Sequence, residues 1–427
     1  MVEMCAALQP LWESGSTEDA HRHAEVLTEH INTHGVRTLM SERILEALLD
    51  KLKSKKHAED RERAAIGLGA IASKVAGKNA PLPLGAEPWL IPAIAPLLET
   101  YADKNEKVKQ AAESAMASIV PLFPPEAAAE LLDVLYGVIM SSTAKWQAKV
   151  GALKIIGRLA DLAYEQVGDE LTQMTPVLTQ AMHETKAEVS KQAIKTATKV
   201  CGVIDNNDIR PFIPDLVGCM ARPDSVPACI KKLSSITFVA EVTGPALAVM
   251  VPLLSRALNE RSQTVQRQSV IIVDNLCKLV RDPHTAALYL PGLLPSVERI
   301  EEGASFPEVR EHAKSAVHTL RTAFAAADAS KQDPQGTDPL ARLAEARSKA
   351  LQRLADAVQP RVPTGVVFSA LGDAFTRTGL EYVSRVVVRL ADKRIVQAEP
   401  WNDVYVLPYL RRVCETPEGA QQATDAI

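Results

Sequence analysis

Apolar residues recur every three to four positions along most of this chain, and they do so in paired segments separated by polar turns. Val189, Ala193, Ala197 and Val200 form one such stripe, spaced i, i+4, i+8 and i+11. That spacing covers one face of a helix with 3.6 residues per turn. In each pair a first helix, often opened by Pro or an acidic residue, precedes a second rich in Ala, Val and Leu. The second helices align with one another. Asn105-Glu-Lys-Val108-Lys-Gln-Ala-Ala is similar to Lys186-Ala-Glu-Val189-Ser-Lys-Gln-Ala, and both are similar to Gln263-Thr-Val265-Gln-Arg-Gln-Ser and Pro307-Glu-Val309-Arg-Glu-His-Ala. Val108 and Val189 lie 81 positions apart, Val189 and Val265 lie 76 apart, and Val265 and Val309 lie 44 apart. Each of the first two gaps holds one further helix pair, predicted at Trp146–Ala163 and Val226–Val242.

The period is therefore about 40, the spacing of HEAT and armadillo repeats. A helix pair cannot bury its apolar stripe alone, but stacked pairs close a continuous core, and small Ala residues let the layers approach. An earlier copy begins at Arg61-Glu-Arg-Ala-Ala-Ile, displaced by a Pro/Gly loop at Lys78-Asn-Ala-Pro-Leu-Pro-Leu-Gly. The pattern predicts capping helices over 1–40 and about seven repeats over 41–325. The polar, Pro- and Gly-bearing stretch 326–339 reads as a linker. Beyond it Leu340, Leu343, Leu351, Leu354 and Val358 form a heptad-like seam interrupted at Arg347. Helices predicted at Val366–Thr376, Leu380–Ala391 and Trp401–Cys414 follow. The expected fold class is all-α, a HEAT-repeat α-solenoid followed by a small four-helix bundle over 340–427. The chain stops within a predicted helix, Ala420–Ile427, with no C-cap signal, so the bundle is expected to be truncated.

Composition agrees with this reading. Of 427 residues 47% are apolar but only 4% aromatic, which argues against sandwiches and barrels built on aromatic and β-branched strands. The net charge of −4 excludes a broad basic footprint, so any nucleic-acid contact must come from local patches. The uncharged run between Glu241 and Arg256 is 14 residues and that between Asp282 and Glu298, with His284 neutral, is 15, both short of the roughly 18 that a membrane span needs. The six cysteines never fall as CxxC, no Asn-x-Ser/Thr acceptor is present, and the N-terminus lacks a basic n-region. A reduced, cytoplasmic setting without membrane attachment is expected.

Catalytic motifs are sparse. The closest approach to GxxxxGK[ST] is Gly67-Leu-Gly-Ala-Ile-Ala-Ser-Lys74, which has Ala72 in place of the second Gly and lies in a predicted repeat helix. A helical segment cannot form the backbone nest that holds a phosphate. GxSxG and HExxH are absent. His30 and His34 share a helix face, with His21 and His23 nearby and Glu25 or Glu29 available as a further ligand. Spacing of this kind is weak grounds for zinc, and a solvated polar face is the expectation. Cys201, Cys219, Cys229 and Cys277 sit among apolar neighbours and read as core residues. Asp205 and Asp208 fall in an inter-helix turn, where Asn and Asp act as turn and cap residues. No catalytic residue, metal site or bound cofactor is expected. Basic side chains remain: Lys191, Lys195 and Lys199 at i+4 steps, Lys145 and Lys149 on the preceding second helix, and Arg256, Arg261 and Arg267 two units on. Such stripes suit a phosphate backbone, although Glu184, Glu188 and Glu260 are interspersed among them.

Four strings go beyond generic repeat periodicity: Lys145-Trp-Gln-Ala-Lys-Val-Gly-Ala-Leu153; Asp205-Asn-Asn-Asp-Ile with Phe212-Ile-Pro-Asp-Leu216; Met250-Val-Pro-Leu-Leu-Ser-Arg-Ala-Leu-Asn-Glu-Arg261; and Val270-Ile-Ile-Val-Asp-Asn-Leu-Cys-Lys-Leu-Val-Arg-Asp-Pro283. They resemble the HEAT domain of translation elongation factor 3. Val387-Val-Arg-Leu-Ala-Asp-Lys-Arg-Ile-Val, with Trp401 and Pro408-Tyr409, resembles the bundle that follows HEAT in that family. The resemblance implies a ribosome partner, docked through ribosomal protein and rRNA in support of elongation, with other translation factors as further partners. It also implies that ATP belongs to cassette modules after the bundle, where this sequence ends, so ATPase activity is not expected of this chain. Two other implied roles are a HEAT scaffold related to the activator of the translational stress kinase, and the N-terminal part of a complete ribosome-dependent ATPase.

Overall fold

The computed structural model describes residues 6–34, 38–75, 87–123 and 125–331. Among these residues all regular structure is helical, as the pattern predicts. The bundle expected at 340–427, the end of the linker and the loop at 78–85 lie outside the described residues.

The chain divides into two compact units, and the division falls after Ala152. The first unit contains α1 (Gln9–Trp12), α2 (Thr17–His34), α3 (Thr38–Ser41), α4 (Ile44–Leu52), α5 (Ala58–Val75), α6 (Glu87–Thr100), α7 (Glu106–Ile119), α8 (Ala128–Met140) and the start of α9 (Trp146–Leu162). Here α2 packs on α5 and α5 on α7, while α4 packs on α6 and α6 on α8. Two helical layers result, with Leu48, Leu68, Ile71, Leu90, Leu97 and Leu135 fully buried between and within them. Asn105 caps α7 by accepting a hydrogen bond from the Lys107 amide at 2.9 Å, which satisfies one of the orphan donors of the helix start.

Glycines set the spacing in this unit. A Cβ on Gly69 of α5 would lie 3.1 Å from the Ala115 Cα of α7, so the two backbones are nearly in contact. A Cβ on Gly151 would lie 2.7 Å from the Tyr101 ring and 3.0 Å from Leu98. Gly151→Ala is therefore expected to cost about 1–3 kcal/mol through overpacking, read by chemical denaturation followed by circular dichroism. An unchanged denaturation midpoint would show that Tyr101 swings aside freely.

The second unit continues α9 with α10 (Tyr164–Met182), α11 (Ala187–Cys201), α12 (Ile213–Ala221), α13 (Val226–Leu233), α14 (Gly244–Leu258), α15 (Gln263–Lys278), α16 (Pro283–Tyr289), α17 (Leu294–Gly303) and α18 (Pro307–Lys331). α10 packs on α11 and α14, α12 on α13 and α14, α15 on α14 and α18, and α17 on α18. Pro214, Pro227, Pro245 and Pro295 each stand in the first turn of a helix, where a missing N–H costs nothing. The stripe Val189, Ala193, Ala197, Val200 is wholly buried. The aligned second helices begin at or one residue after the start of the repeated strings, at Glu106, Ala187, Gln263 and Pro307.

Two boundaries differ from the pattern. Of the helical segment expected over Val226–Val242, only Val226–Leu233 is helical. Ser234-Ser-Ile-Thr-Phe-Val239 is a run of Ser, β-branched and aromatic residues, which favour helices weakly. Side chains from the preceding turn then hold the segment in a non-helical course. The Asp208 carboxylate accepts hydrogen bonds from the Val239 and Ala240 amides at 2.7 and 2.8 Å. Asn206 donates to the Glu241 carbonyl at 3.1 Å, and the Val242 amide donates to the Leu279 carbonyl. At the other boundary α18 runs on to Lys331, into the stretch expected as linker. Ala325-Ala-Ala-Asp-Ala is strongly helix-forming and carries no Pro or Gly to stop the helix.

Candidate nucleic-acid interface

The basic residues singled out by spacing prove unequal once packing is considered. In the second unit α11 is fixed in rotation by buried bonds. Thr196, 1% exposed, donates to the Leu153 carbonyl of α9 at 2.9 Å, and Ser190 donates to the Met182 carbonyl of α10 at 2.7 Å. With the apolar stripe turned inward, Lys191, Lys195 and Lys199 all face solvent. Lys199 pairs with Asp161 at the end of α9, so its charge is locally offset. Lys191 and Lys195 have no carboxylate partner among the described residues. Ile194 lies between them and is 38% exposed. Its position off the buried stripe was readable from the spacing. The solvent face of α11 therefore offers two ammonium groups beside a small apolar contact.

The arginines divide in the same way. Arg256, at the end of α14, and Arg261, in the turn before α15, are exposed. Arg267 is half-buried and bonded to Glu308 of α18, with His312 also 3.8 Å from that carboxylate. It ties α15 to α18 and offers little free charge. In the first unit Lys145 is exposed, immediately before the partly exposed Trp146. Lys149 is only 8% exposed. Four residues after Lys145 the helix has turned toward the face that carries Ala148 and Ala152, both fully buried. Lys149 is therefore removed from the candidate interface, because phosphate cannot reach a cation packed within the repeat.

The remaining candidates behave as structural parts. The segment nearest a phosphate loop, Gly67–Lys74, lies inside α5, with Leu68, Ile71 and Ala72 fully buried. His23 shares a hydrogen bond of 2.9 Å with Ser14, and His30 pairs with Glu42 at 2.9 Å while its ring lies 4.4 Å from that of His34. No three His, Cys, Asp or Glu side chains converge on a metal position among the described residues. Asp205 bonds Arg210 at 3.0 Å on the surface. Burial pushes the thiols of Cys201 and Cys277 up to about 12, consistent with inert core residues. A groove of about 480 Å³ between α2, α5 and α7 is lined in part by small residues such as Gly69, Ala111 and Ala115. Among its lining residues Thr17 donates to the buried Glu62 at 2.7 Å. No described helix is long and apolar enough to cross a membrane.

Residues 20–197 match the family described as the EF3 N-terminal HEAT repeat, and residues 225–331 match the Elongation factor 3/GNC1 HEAT repeat. The mRNA export factor elf1 of Schizosaccharomyces pombe is 42% identical over 296 residues, which cover 69% of this chain and 27% of that protein. Elongation factor 3 of Gonapodya prolifera is 34% identical over 310 residues, covering 73% of this chain and 28% of that protein. Elongation factor 3A of Saccharomyces cerevisiae is 33% identical over 359 residues, or 83% and 32%. The chain thus spans about a quarter to a third of the length of these curated relatives.

Proposed function

Because this chain belongs to the elongation factor 3 family through its HEAT repeats, we propose that it is a ribosome-docking module supporting translation elongation. It acts by binding ribosomal protein and rRNA, without catalysis or a nucleotide site of its own, in the cytoplasm. The observation that carries this reading is the solvent face of α11, where Lys191 and Lys195 are exposed, unpaired by carboxylates and held in register by the Thr196 bond. Ammonium groups presented in this way displace counterions from a phosphate backbone, and that displacement gives affinity with a characteristic salt dependence. Arg256 and Arg261 are the further contacts in the second unit, and Lys145 is a separate candidate in the first; Lys199 and Arg267 contribute less because each already holds a carboxylate.

The test is co-sedimentation of the full chain with purified ribosomes across a salt series. Lys191→Glu/Lys195→Glu is expected to weaken binding about tenfold or more near 0.1 M salt. The slope of log K against log salt should become shallower by roughly 1.4–1.8, the share of two lost phosphate contacts. An unchanged circular dichroism spectrum would confirm that the variant folds. Binding indifferent to both salt and the substitutions would overturn the reading. The 42% identity to an mRNA export factor favours a second reading, in which the same face binds messenger RNA. Lysine-dependent capture of polyadenylated RNA without sedimentation on ribosomes would select it.

A further inference from the structure

We infer that the edge formed by the α14–α15 and α17–α18 turns binds single-stranded RNA. A base stacks on Phe306, and Arg261 and Arg299 hold the phosphates beside it. The inference rests on the RNA-binding reading above, adds two residues to the Arg261 contact, and uses a different surface from α11. Phe306 is 60% exposed, more than any other described Phe, Tyr or Trp. It stands in an ordered turn. Its carbonyl accepts from the Val309 and Arg310 amides at 3.1 and 3.3 Å at the start of α18. The Arg310 guanidinium donates to the Ala304 carbonyl at 2.5 Å and closes the turn from below. An apolar ring presented to water in this way gains free energy by covering a flat partner.

Arg261 precedes α15 as Phe306 precedes α18, so the two residues occupy the same turn of adjacent repeats. α15 packs on α18, and Arg267 joins Glu308 across them. Packed helices lie about 8–10 Å apart, close enough for one strand to touch both turns. Arg299 of α17 donates to the side-chain oxygen of Asn259, the residue after α14, and Asn259 donates in turn to the Ser255 carbonyl at 2.7 Å. That neutral partner orients the guanidinium and leaves its charge uncancelled. Arg261 and Arg299 are exposed and hold no carboxylate among the described residues. Carboxylates share the edge: Glu298 is engaged by Arg321 at 2.9 Å, while Glu260, Glu301 and Glu302 hold no cation among the described residues. The edge is therefore not a broad basic patch, and charge alone does not select its ligand. The ring selects it, because an unpaired strand offers a free base face and a duplex does not. An acidic peptide would meet the same three carboxylates without a base to stack.

The experiment measures fluorescence anisotropy of a short labelled oligouridine, and of an RNA duplex of the same length, titrated with the full chain. Oligouridine should bind more tightly than the duplex. Phe306→Ala should weaken oligouridine roughly tenfold, the contribution of one stacked base, with duplex binding and the salt slope unchanged, and Phe306→Trp should retain the affinity. Arg261→Gln/Arg299→Gln should instead make the slope of log K against log salt shallower by roughly 1.4, the share of two phosphate contacts on a single strand. Full oligouridine affinity in Phe306→Ala would overturn the inference, as would an equal loss on the duplex. Polyglutamate displacing the labelled strand as well as unlabelled oligouridine does would assign the edge to an acidic protein instead. Lys191→Glu/Lys195→Glu separates this inference from the reading it rests on. If that variant leaves the ribosome while Phe306→Ala keeps its oligouridine, only the inference falls; if the reverse holds, only the α11 reading falls.

Discussion

Replacing Asp103 with Asn is expected to lower the stability of the first unit by about 2–4 kcal/mol at neutral pH, because it strands a shielded guanidinium. Arg61 of α5 donates to the two Asp103 carboxylate oxygens at 2.6 and 3.1 Å, and to the Ser54 carbonyl at 2.8 Å. The side chains of this pair are 16% and 9% exposed. Burial alone would raise the Asp103 carboxyl. The hydrogen bond from Arg61, the amides of Asn105 and Lys104 and the charge of Arg61 together bring it below the ordinary carboxylate range. A carboxyl lowered in the folded state stabilises the fold above its unfolded value of about 3.9, and that contribution disappears as acid protonates it. The deficit of Asp103→Asn relative to the wild type should therefore shrink on acidification from neutral pH toward about pH 3. Urea denaturation followed by tryptophan fluorescence reads it, since Trp12, Trp89 and Trp146 all lie in this unit. A deficit that stays constant across that pH range would rule out the ion pair as its source. The exposed pair Arg22–Asp19, at 3.2 Å, is the control and should contribute far less.

Asp208→Ala should cost the second unit about 2–3 kcal/mol, because two amides lose a charged acceptor and water replaces it only in part. The effect should also be local. The segment after α13 has no helical bonds of its own between Ile236 and Val242, so its polar anchors are Asp208, Asn206 and the bond from Val242 to the Leu279 carbonyl. Phe238 and Val242 are buried while Val239 is 72% exposed, and loss of the acceptor would free that alternation. Hydrogen exchange at the Val239 and Ala240 amides should rise at least about tenfold, whereas the amides in the middle of α15 stay protected. Unchanged exchange at those two amides would refute the role given to Asp208.

Helix identity and repeat spacing were legible because both depend on short-range periodicity. A stripe such as Val189, Ala193, Ala197 and Val200 admits one burial solution, and the structure buries all four. The α12–α13 hairpin was legible only in part. Val226–Val242 contains enough apolar residues to read as a helix, but its second half is claimed by acceptors from a turn some thirty residues earlier. A side-chain acceptor at that separation leaves no periodic trace. The candidate interface was partly legible too. Lys191 and Lys195 were found by i+4 spacing and are exposed, while the same rule chose Lys149, which is buried. Spacing places residues on one face of a helix and does not say which way that face turns. The neighbours of α11 and of the start of α9 decide it.

The low aromatic share, the period near 40 and the slight negative charge determined, from sequence alone, that this chain is a stack of small-residue helix pairs with only local basic patches. Tertiary structure decided which cations remain free. Lys199 and Arg267 are satisfied by Asp161 and Glu308, each from a different helix. The physical reason is one of range. Periodic burial is written into neighbouring residues, whereas a charge acquires its partner from whichever helix packs against it.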